Sequence, residues 1–112
     1  MTSVDQPLYV AKAELFRALG HPTRIRILEL LVEGPRPVSE LIAETGVESS
    51  SLSQHLAVVR HTGLALSTRQ GNVVTYRVSD PSVADFLAAA RAVLAATLGR
   101  SADTLAHLDT TP

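Results

Sequence analysis

The spacing of apolar residues changes at Leu64, and this change most limits how the chain can fold. Before Leu64, apolar side chains recur three or four positions apart, which is typical of amphipathic helices. From Leu64 to Val78 the period is close to two, and the two runs are separated by Gln70-Gly71-Asn72. Such a pattern predicts two β-strands joined by a glycine turn. The chain is therefore predicted to be mainly α with one small β-hairpin.

Four helical segments precede the hairpin. The first spans 7–19, and the second opens at His21-Pro22-Thr23 and ends at Gly34. The predicted apolar stripe of the second helix is Ile25, Leu28, Leu31 and Val32. A short third helix begins at Val38 and ends at Gly46, and a fourth follows after two residues. A short helix, a glycine turn and a second helix form the helix-turn-helix arrangement, predicted here over 38–62.

A long helix rich in alanine and leucine is predicted over 82–107, after Ser79-Asp80-Pro81. Its apolar stripe consists of Val83, Phe86, Leu87, Ala90, Val93, Leu94, Thr97 and Leu98. A core of this size cannot cover all of that surface, and an exposed apolar patch on the order of a few hundred Å² marks an interface. We therefore expect this helix to contribute to an interface.

Length and composition restrict the class of protein. A chain of 112 residues is expected to form one domain, which we place at 7–108 between a flexible N-terminus (1–6) and a polar tail (109–112). The chain contains no cysteine, which excludes disulfides and thiolate metal sites. The N-terminus lacks the order of a signal peptide, and no apolar run approaches the ~18 residues of a membrane span. We therefore expect a cytoplasmic protein that has no membrane partner.

The segment from Ser49 to Ser79 is basic, although the whole chain has a net charge of −1. It contains Arg60, Arg69 and Arg77 and neither Asp nor Glu, whereas the rest of the chain has seven basic and eleven acidic residues. A positive surface without carboxylates favours contact with a polyanion, because it attracts phosphates. An ordinary solvated surface is the alternative for three exposed arginines.

The fourth helix carries small polar groups on one face. When Leu52, Leu56 and Val59 point to the core, the opposite face consists of Ser50, Ser53, Gln54, Ala57 and His61, with Ser49 and Arg60 at its margin. Glutamine can form two hydrogen bonds with adenine, serine can bond a base or a phosphate, and alanine can contact a thymine methyl group. This face is predicted to contact bases in a major groove, although serines at a helix start often serve only as caps.

The predicted hairpin, or wing (64–79), has two different faces. Val74, Tyr76 and Val78 lie on one face, and Val73, Thr75 and Arg77 lie on the other. The hairpin can thus pack on the core while Arg77 and the tip residue Arg69 point outward. Together with Asn72, these arginines could contact backbone phosphates or a minor groove.

Four segments of the chain are distinctive in combination. They are His21-Pro22-Thr23-Arg24-Ile25-Arg26-Ile27-Leu28-Glu29-Leu30-Leu31, Ser51-Leu52-Ser53-Gln54-His55-Leu56, Gly63-Leu64, and Arg69-Gln70-Gly71-Asn72 through Tyr76. Together they resemble the signature sequences of the ArsR/SmtB family, over nearly the whole chain. The resemblance implies a winged helix-turn-helix regulator, usually a repressor, that binds a palindromic promoter operator in double-stranded DNA as a homodimer.

The resemblance also implies roles for individual residues. By position, it implies DNA contacts for Ser49, Ser50, Ser53 and Gln54 and places Arg69 and Arg77 in the wing. His55, Arg60 and Asn72, taken from the helix and hairpin themselves, complete the predicted DNA contacts. His55 lies beside the buried stripe, so we expect it to pack or to contact a phosphate rather than to bind a ligand. The first and last helices are implied to form the dimer interface, through Leu8, Leu15, Val83, Phe86, Leu87, Ala90, Val93 and Leu94.

Many members of that family bind a metal ion that weakens their DNA binding. The familiar sites are missing here, because the third helix has no cysteine pair and Asp80 and Asp85 lack a nearby histidine. We therefore expect no required cofactor. Asp103 and His107 stand four residues apart, and two copies would offer four N/O ligands for weak binding of nickel, cobalt or zinc. An ordinary solvated helix end is the interpretation that we favour for this pair.

Catalysis is not predicted, because the chain has no Gly-x-Ser-x-Gly motif, no glycine-rich phosphate loop and no paired carboxylates beside a histidine. Three alternatives to simple repression stay open at this point. They are activation from a different operator position, metal-responsive regulation, and a partner-binding module that keeps the winged fold without contacting DNA. An unknown accessory protein would be a further partner.

Overall fold

The computed structural model describes residues 6–98. The predicted tail, the pair Asp103 and His107, and all but the last residue of the predicted N-terminal segment lie outside the described residues. The described chain forms, in order, α1 (Leu8–Ala18), α2 (Pro22–Glu33), β1 (Arg36–Pro37), α3 (Val38–Thr45), α4 (Ser49–His61), β2 (Ala65–Gln70), β3 (Val73–Val78) and α5 (Ser82–Leu98). It divides into two compact units, one ending at Asp80 and one beginning at Pro81.

The first unit buries apolar side chains contributed by its helices and its sheet. Its buried residues are Ala18, Leu19, Ile27, Leu28, Leu30, Leu31, Leu41, Leu52, Leu56, Val59, Leu64, Ala65 and Tyr76. The stripe predicted for α4 is confirmed, since Leu52, Leu56 and Val59 are all buried. One face of α4 therefore holds the helix on the core, and the opposite face stays available.

The stripe predicted for α2 is confirmed at two of its four positions. Leu28 and Leu31 are buried, whereas Val32 is 39% exposed and Ile25 is only half-buried. Ile27 and Leu30, which were not predicted, are buried as well. The helix contacts α3, α4 and β3. Since these neighbours cover α2 on more than one side, its buried surface differs from the single stripe that the spacing of apolar residues indicated.

The sheet contains one strand more than the predicted hairpin. β1 pairs antiparallel with β3, with Arg36 opposite Tyr76, and the strand order is β1-β3-β2. A two-residue strand has no detectable alternation, and Pro37 suits the edge position because proline has no N–H to donate. The Arg36 guanidinium also bonds Glu33 at 2.7 Å and Glu40 at 2.8 Å, which links the end of α2 to the start of α3.

Two glycines have a positive φ where a turn requires it. Gly46, at +68°, ends α3, and its N–H donates to the Ile42 carbonyl at 2.9 Å. Gly71, at +61°, occupies the first position of the two-residue turn between β2 and β3. No other residue type in the described chain has a positive φ, so this hairpin turn is type II′. The predicted helix-turn-helix and hairpin are both confirmed.

In the second unit, α5 leaves much of its apolar surface uncovered. Val83 is buried, and Phe86 and Leu87 are half-buried. Val93 and Leu94, further along the same stripe, are 59% and 46% exposed. Among the described residues, no helix has both the length and the hydropathy needed to cross a membrane.

Candidate nucleic-acid interface

The outer face of α4 is polar and accessible. Ser49, Ser50, Ser53 and Gln54 are exposed, while Leu52 and Leu56 on the other side are buried. Arg60, near the end of the helix, is also exposed. The helix therefore presents short hydrogen-bonding groups on a rigid support, which is the arrangement that base-edge contacts in a major groove require.

A carboxylate that the sequence reasoning passed over stands at the start of α4. The N-cap residue is Glu48, whose side chain makes no capping bond, so none of the three serines that follow is the cap. The Ser50 hydroxyl instead donates to Glu48 Oε1 at 2.7 Å. Ser50 must release this bond before its hydroxyl can donate to a phosphate or a base. The signal was present in the sequence, because Glu48 immediately precedes the acid-free segment.

A groove of about 750 Å³ lies between α3, α4 and the hairpin. Its polar lining consists of Ser39, Ser53, Arg60, Ser67, Thr68, Arg69 and Asn72. Apolar side chains, among them Ile42 and Tyr76, also line it. Two guanidinium groups and several hydroxyls along one groove suit a sugar-phosphate strand, because each can bond a phosphate oxygen.

The strand register separates the two hairpin arginines. Arg69 is paired with Val74, and Arg77 is paired with Leu66. Directly paired residues share a face of the sheet, so Arg69 lies on the side of Val74 and Tyr76, which line the groove. Arg77 lies on the opposite side. Both arginines are exposed, as expected for residues that point away from the core, but only Arg69 borders the groove.

The tip arginine is held in place by the turn that follows it. Arg69 Nε donates to the Gly71 carbonyl at 3.1 Å, while the side chain stays exposed. The base of the hairpin is closed as well, because the Ser79 hydroxyl donates to the Gly63 carbonyl at 2.6 Å and the Ser79 N–H donates to the Leu64 carbonyl. These bonds fix the hairpin beside α4.

His55 lies on the flank of α4 that faces α2, away from the groove. It is half-buried, its ring centroid is 4.3 Å from that of His21, and its Nδ1 lies 3.2 Å from Arg24 Nη1. Burial first, and then the charges of His21 and Arg24, lower the pKa of His55 below its usual value. Of the two roles expected for His55, packing is the one that this environment supports.

The described residues offer no ready metal centre. Between residues 6 and 98, no three His, Asp or Glu side chains are placed so that they could hold one ion together. Asp85 lies in the first turn of α5 and His61 in the last turn of α4, in different units. The pair Asp103 and His107 lies beyond the described residues.

Taken together, a helix-turn-helix, a three-stranded sheet with a hairpin wing and a polar groove between them define a winged helix-turn-helix transcriptional regulator. A family model described as bacterial regulatory protein, arsR family, matches residues 21–67. The chain is also 52% identical, over 84% of its length and 83% of the relative, to Rv0081, a helix-turn-helix transcriptional regulator of Mycobacterium tuberculosis. The chain belongs to the arsR family, and it is a regulator and not an enzyme.

Solved structures and a second relative agree with this assignment. The crystal structure of Rv0081 matches with a TM-score of 0.77, covering 84% of this chain and 95% of that one at 52% identity. The homodimeric winged helix-turn-helix DNA-binding domain Mb0332 of Mycobacterium bovis matches with a TM-score of 0.77 at 27% identity, covering 90% and 95% of the two chains. A probable mercury resistance operon repressor of Streptomyces lividans is 35% identical over 74% of this chain and 66% of its own length.

Proposed function

We propose that the protein is a repressor that binds a palindromic operator in double-stranded DNA as a homodimer, with α4 of each copy in a major groove. The observation that carries the proposal is the exposed face of α4, with Ser53 and Gln54, beside a groove bordered by Arg60 and Arg69. Two relatives support it by their names: Mb0332 is a homodimeric DNA-binding domain, and the Streptomyces protein is a probable repressor. A repressor of promoter DNA acts where the bacterial chromosome lies, in the cytoplasm.

Exposed apolar residues on α1 and α5 support the dimer. On α1, Leu8 and Phe16 are 69% and 58% exposed, and Leu15 is half-buried. On α5, the exposed part of the stripe includes Ala90, Val93 and Leu94. Apolar surfaces of this kind are covered when a second copy binds. A two-fold dimer then spaces its two recognition helices about one DNA turn, or a multiple of it, apart.

The experiment that tests the proposal is a footprint on the promoter of the protein's own gene, followed by fluorescence anisotropy with the protected duplex. Two protected half-sites related by symmetry are expected. Binding is expected to be equally tight with and without a chelator, because no metal ligand enters the proposed interface. Absence of any preferred duplex would favour a partner-binding module, and loss of binding in chelator would favour a metal-dependent regulator.

Gln54→Ala is expected to reduce discrimination between the operator and unrelated DNA by about 5- to 150-fold. The reason is that the amide can form two hydrogen bonds with one adenine, a pairing that contributes about 1–3 kcal/mol of discrimination. The measurement is the ratio of the two dissociation constants by anisotropy. Ser51→Ala is the matched control, because Ser51 is exposed on the other flank of α4 and is not among the proposed contacts. An unchanged ratio in the Gln54 variant would remove this residue from the interface.

Arg69→Ala is expected to weaken binding to every duplex and to lower the salt dependence of log K by about one, because one phosphate contact is lost. Arg77→Ala is the paired comparison, since it removes the same charge from the opposite face of the hairpin. We expect the Arg77 variant to keep nearly the full salt dependence. Equal losses in the two variants would show that the groove does not hold the DNA backbone. The measurement is anisotropy between 50 and 200 mM salt, roughly the range over which such contacts are lost.

A further inference from the structure

Three side chains meet where α2 begins and crosses α4. His21 precedes α2, Arg24 lies in its first turn, and His55 lies on α4. The two imidazole rings are 4.3 Å apart, and Arg24 Nη1 is 3.2 Å from His55 Nδ1. All three side chains are half-buried. We call these residues the His21–Arg24–His55 cluster.

Arg24 joins three helices through one guanidinium group. Its Nε donates to the Ala18 carbonyl, and its Nη2 donates to the Arg17 carbonyl at 3.3 Å. Both acceptors lie at the C-terminal end of α1, where carbonyl groups lack helical partners. The third nitrogen, Nη1, contacts His55 on α4. The buried face of α4 holds this helix on the core, and Arg24 adds the polar contacts that link it to the ends of α1 and α2.

Both imidazole rings use Nδ1 as an acceptor. The Thr23 N–H donates to His21 Nδ1 at 3.1 Å, which caps α2. Arginine carries only donors, so His55 Nδ1 must accept the bond from Arg24. An Nδ1 atom that accepts a hydrogen bond carries no proton, so the proton of such a neutral ring lies on Nε2. A proton added at either Nδ1 would replace an acceptor by a donor and would abolish the cap of α2 or the bond to Arg24.

The surroundings of His55 all lower its pKa. Burial has the largest effect, followed by His21 and Arg24. The element α1 contributes the Ala18 and Arg17 carbonyls to Arg24. The ion pair of Arg26 with Glu29 and those of Arg36 with Glu33 and Glu40 include no residue of the cluster. Protonation would place additional positive charge beside the fixed charge of Arg24.

We propose that the His21–Arg24–His55 cluster positions α4 for DNA, and that a proton on His55 Nδ1 breaks the bond to Arg24 and releases this helix, so that mild acid weakens operator binding. The inference rests on the proposed function. The expected effect of acid on DNA binding is opposite to the one that a histidine at a DNA surface usually causes. When a histidine contacts phosphate, acid adds positive charge and strengthens binding to DNA. Arg24 is thus a positioning residue, which acts through His55 and not by touching DNA.

The test is the operator affinity of the intact protein between pH 7.5 and 5.5, compared with a His21→Asn, His55→Asn double variant. An asparagine oxygen can occupy the place of Nδ1 and accept the same hydrogen bond, asparagine is a good N-cap, and it does not titrate. The wild type is expected to bind several-fold more weakly at pH 5.5 than at pH 7.5, because His55 takes up a proton more readily once the cluster has opened. The double variant is expected to bind as the wild type does at pH 7.5 and to lose this pH dependence.

Two further measurements separate the possible outcomes. Imidazole ¹⁵N spectra at pH 7.5 should show both rings protonated on Nε2 alone, and a proton on either Nδ1 would overturn the proposal. His61→Asn, on the exposed face of α4, should leave the weakening by acid in place; if it removes the effect, the titrating group lies at the DNA surface and the proposal is wrong. Binding that is equal at both pH values also overturns the inference, whereas absence of operator binding at pH 7.5 overturns the proposed function instead.

Discussion

Replacing Leu94 by glutamate is expected to dissociate the dimer and to reduce operator affinity about a thousandfold, to the level of binding to unrelated DNA. Leu94 is 46% exposed on α5, in a stretch dominated by alanine, valine and leucine. In the dimer this side chain would be covered, and burial of an unpaired carboxylate costs several kcal/mol or more. A monomer has a single α4, so it can occupy only one half-site and loses the combined affinity of two linked contacts.

The measurement combines sedimentation equilibrium with anisotropy on the operator. Ala92→Glu is the matched control, because it adds the same charge at an exposed position on the opposite side of α5. We expect the Ala92 variant to remain dimeric and to bind within about threefold of the wild type, since surface substitutions rarely exceed 0.5 kcal/mol. If the Leu94→Glu protein is still dimeric, α5 does not form the dimer interface. A monomeric Leu94→Glu protein with full operator affinity would contradict the two-fold arrangement.

Leu52→Ala is expected to lower the free energy of unfolding by about 3 kcal/mol. Leu52 is fully buried on α4, and replacement of such a leucine by alanine removes apolar contacts and leaves a cavity. For a domain of this size, that loss lowers Tm by roughly 12 °C or more. A loss of this size is also a large part of the total free energy of unfolding of a small domain, which is roughly 5–15 kcal/mol.

Thermal and urea unfolding at one fixed protein concentration measure this effect, because the stability of a dimer depends on concentration. Ser53→Ala, at the next residue, is the control: Ser53 is exposed, so its loss should change stability by no more than about 0.5 kcal/mol. Its effect should be seen in DNA binding instead. Similar stability losses at the two positions would mean that the assignment of the inner and outer faces of α4 is incorrect.

The pH dependence of stability should follow from His55. Burial, His21 and Arg24 lower its pKa in the folded state, so the folded protein binds fewer protons than the unfolded chain. Stability should therefore be highest above the pKa of about 6.5 of an unfolded histidine and should fall as the pH decreases below it. The His21→Asn, His55→Asn protein described above should lose this part of the dependence.

Several elements could be predicted because their signals are local. The turn at Gly46, the hairpin at Gly71 and the buried side of α4 each depend on residues within a few positions of one another. Features that depend on partners far along the chain were missed or misplaced. β1 exists because Arg36 and Pro37 lie beside β3, about forty residues later. Which side of α2 is buried likewise depends on its contacts with α3, α4 and β3.

The sequence by itself determined the order of the helices and the hairpin and the polar, acid-free face of α4, because periodicity, glycine placement and charge are local properties of a chain. The tertiary structure alone decided that Arg69 borders a groove between the hairpin, α3 and α4. It also decided that His55 meets Arg24 and His21 between two helices. Strand register and helix crossing bring together residues that are distant in the chain, and no local pattern specifies which side chains will then face each other.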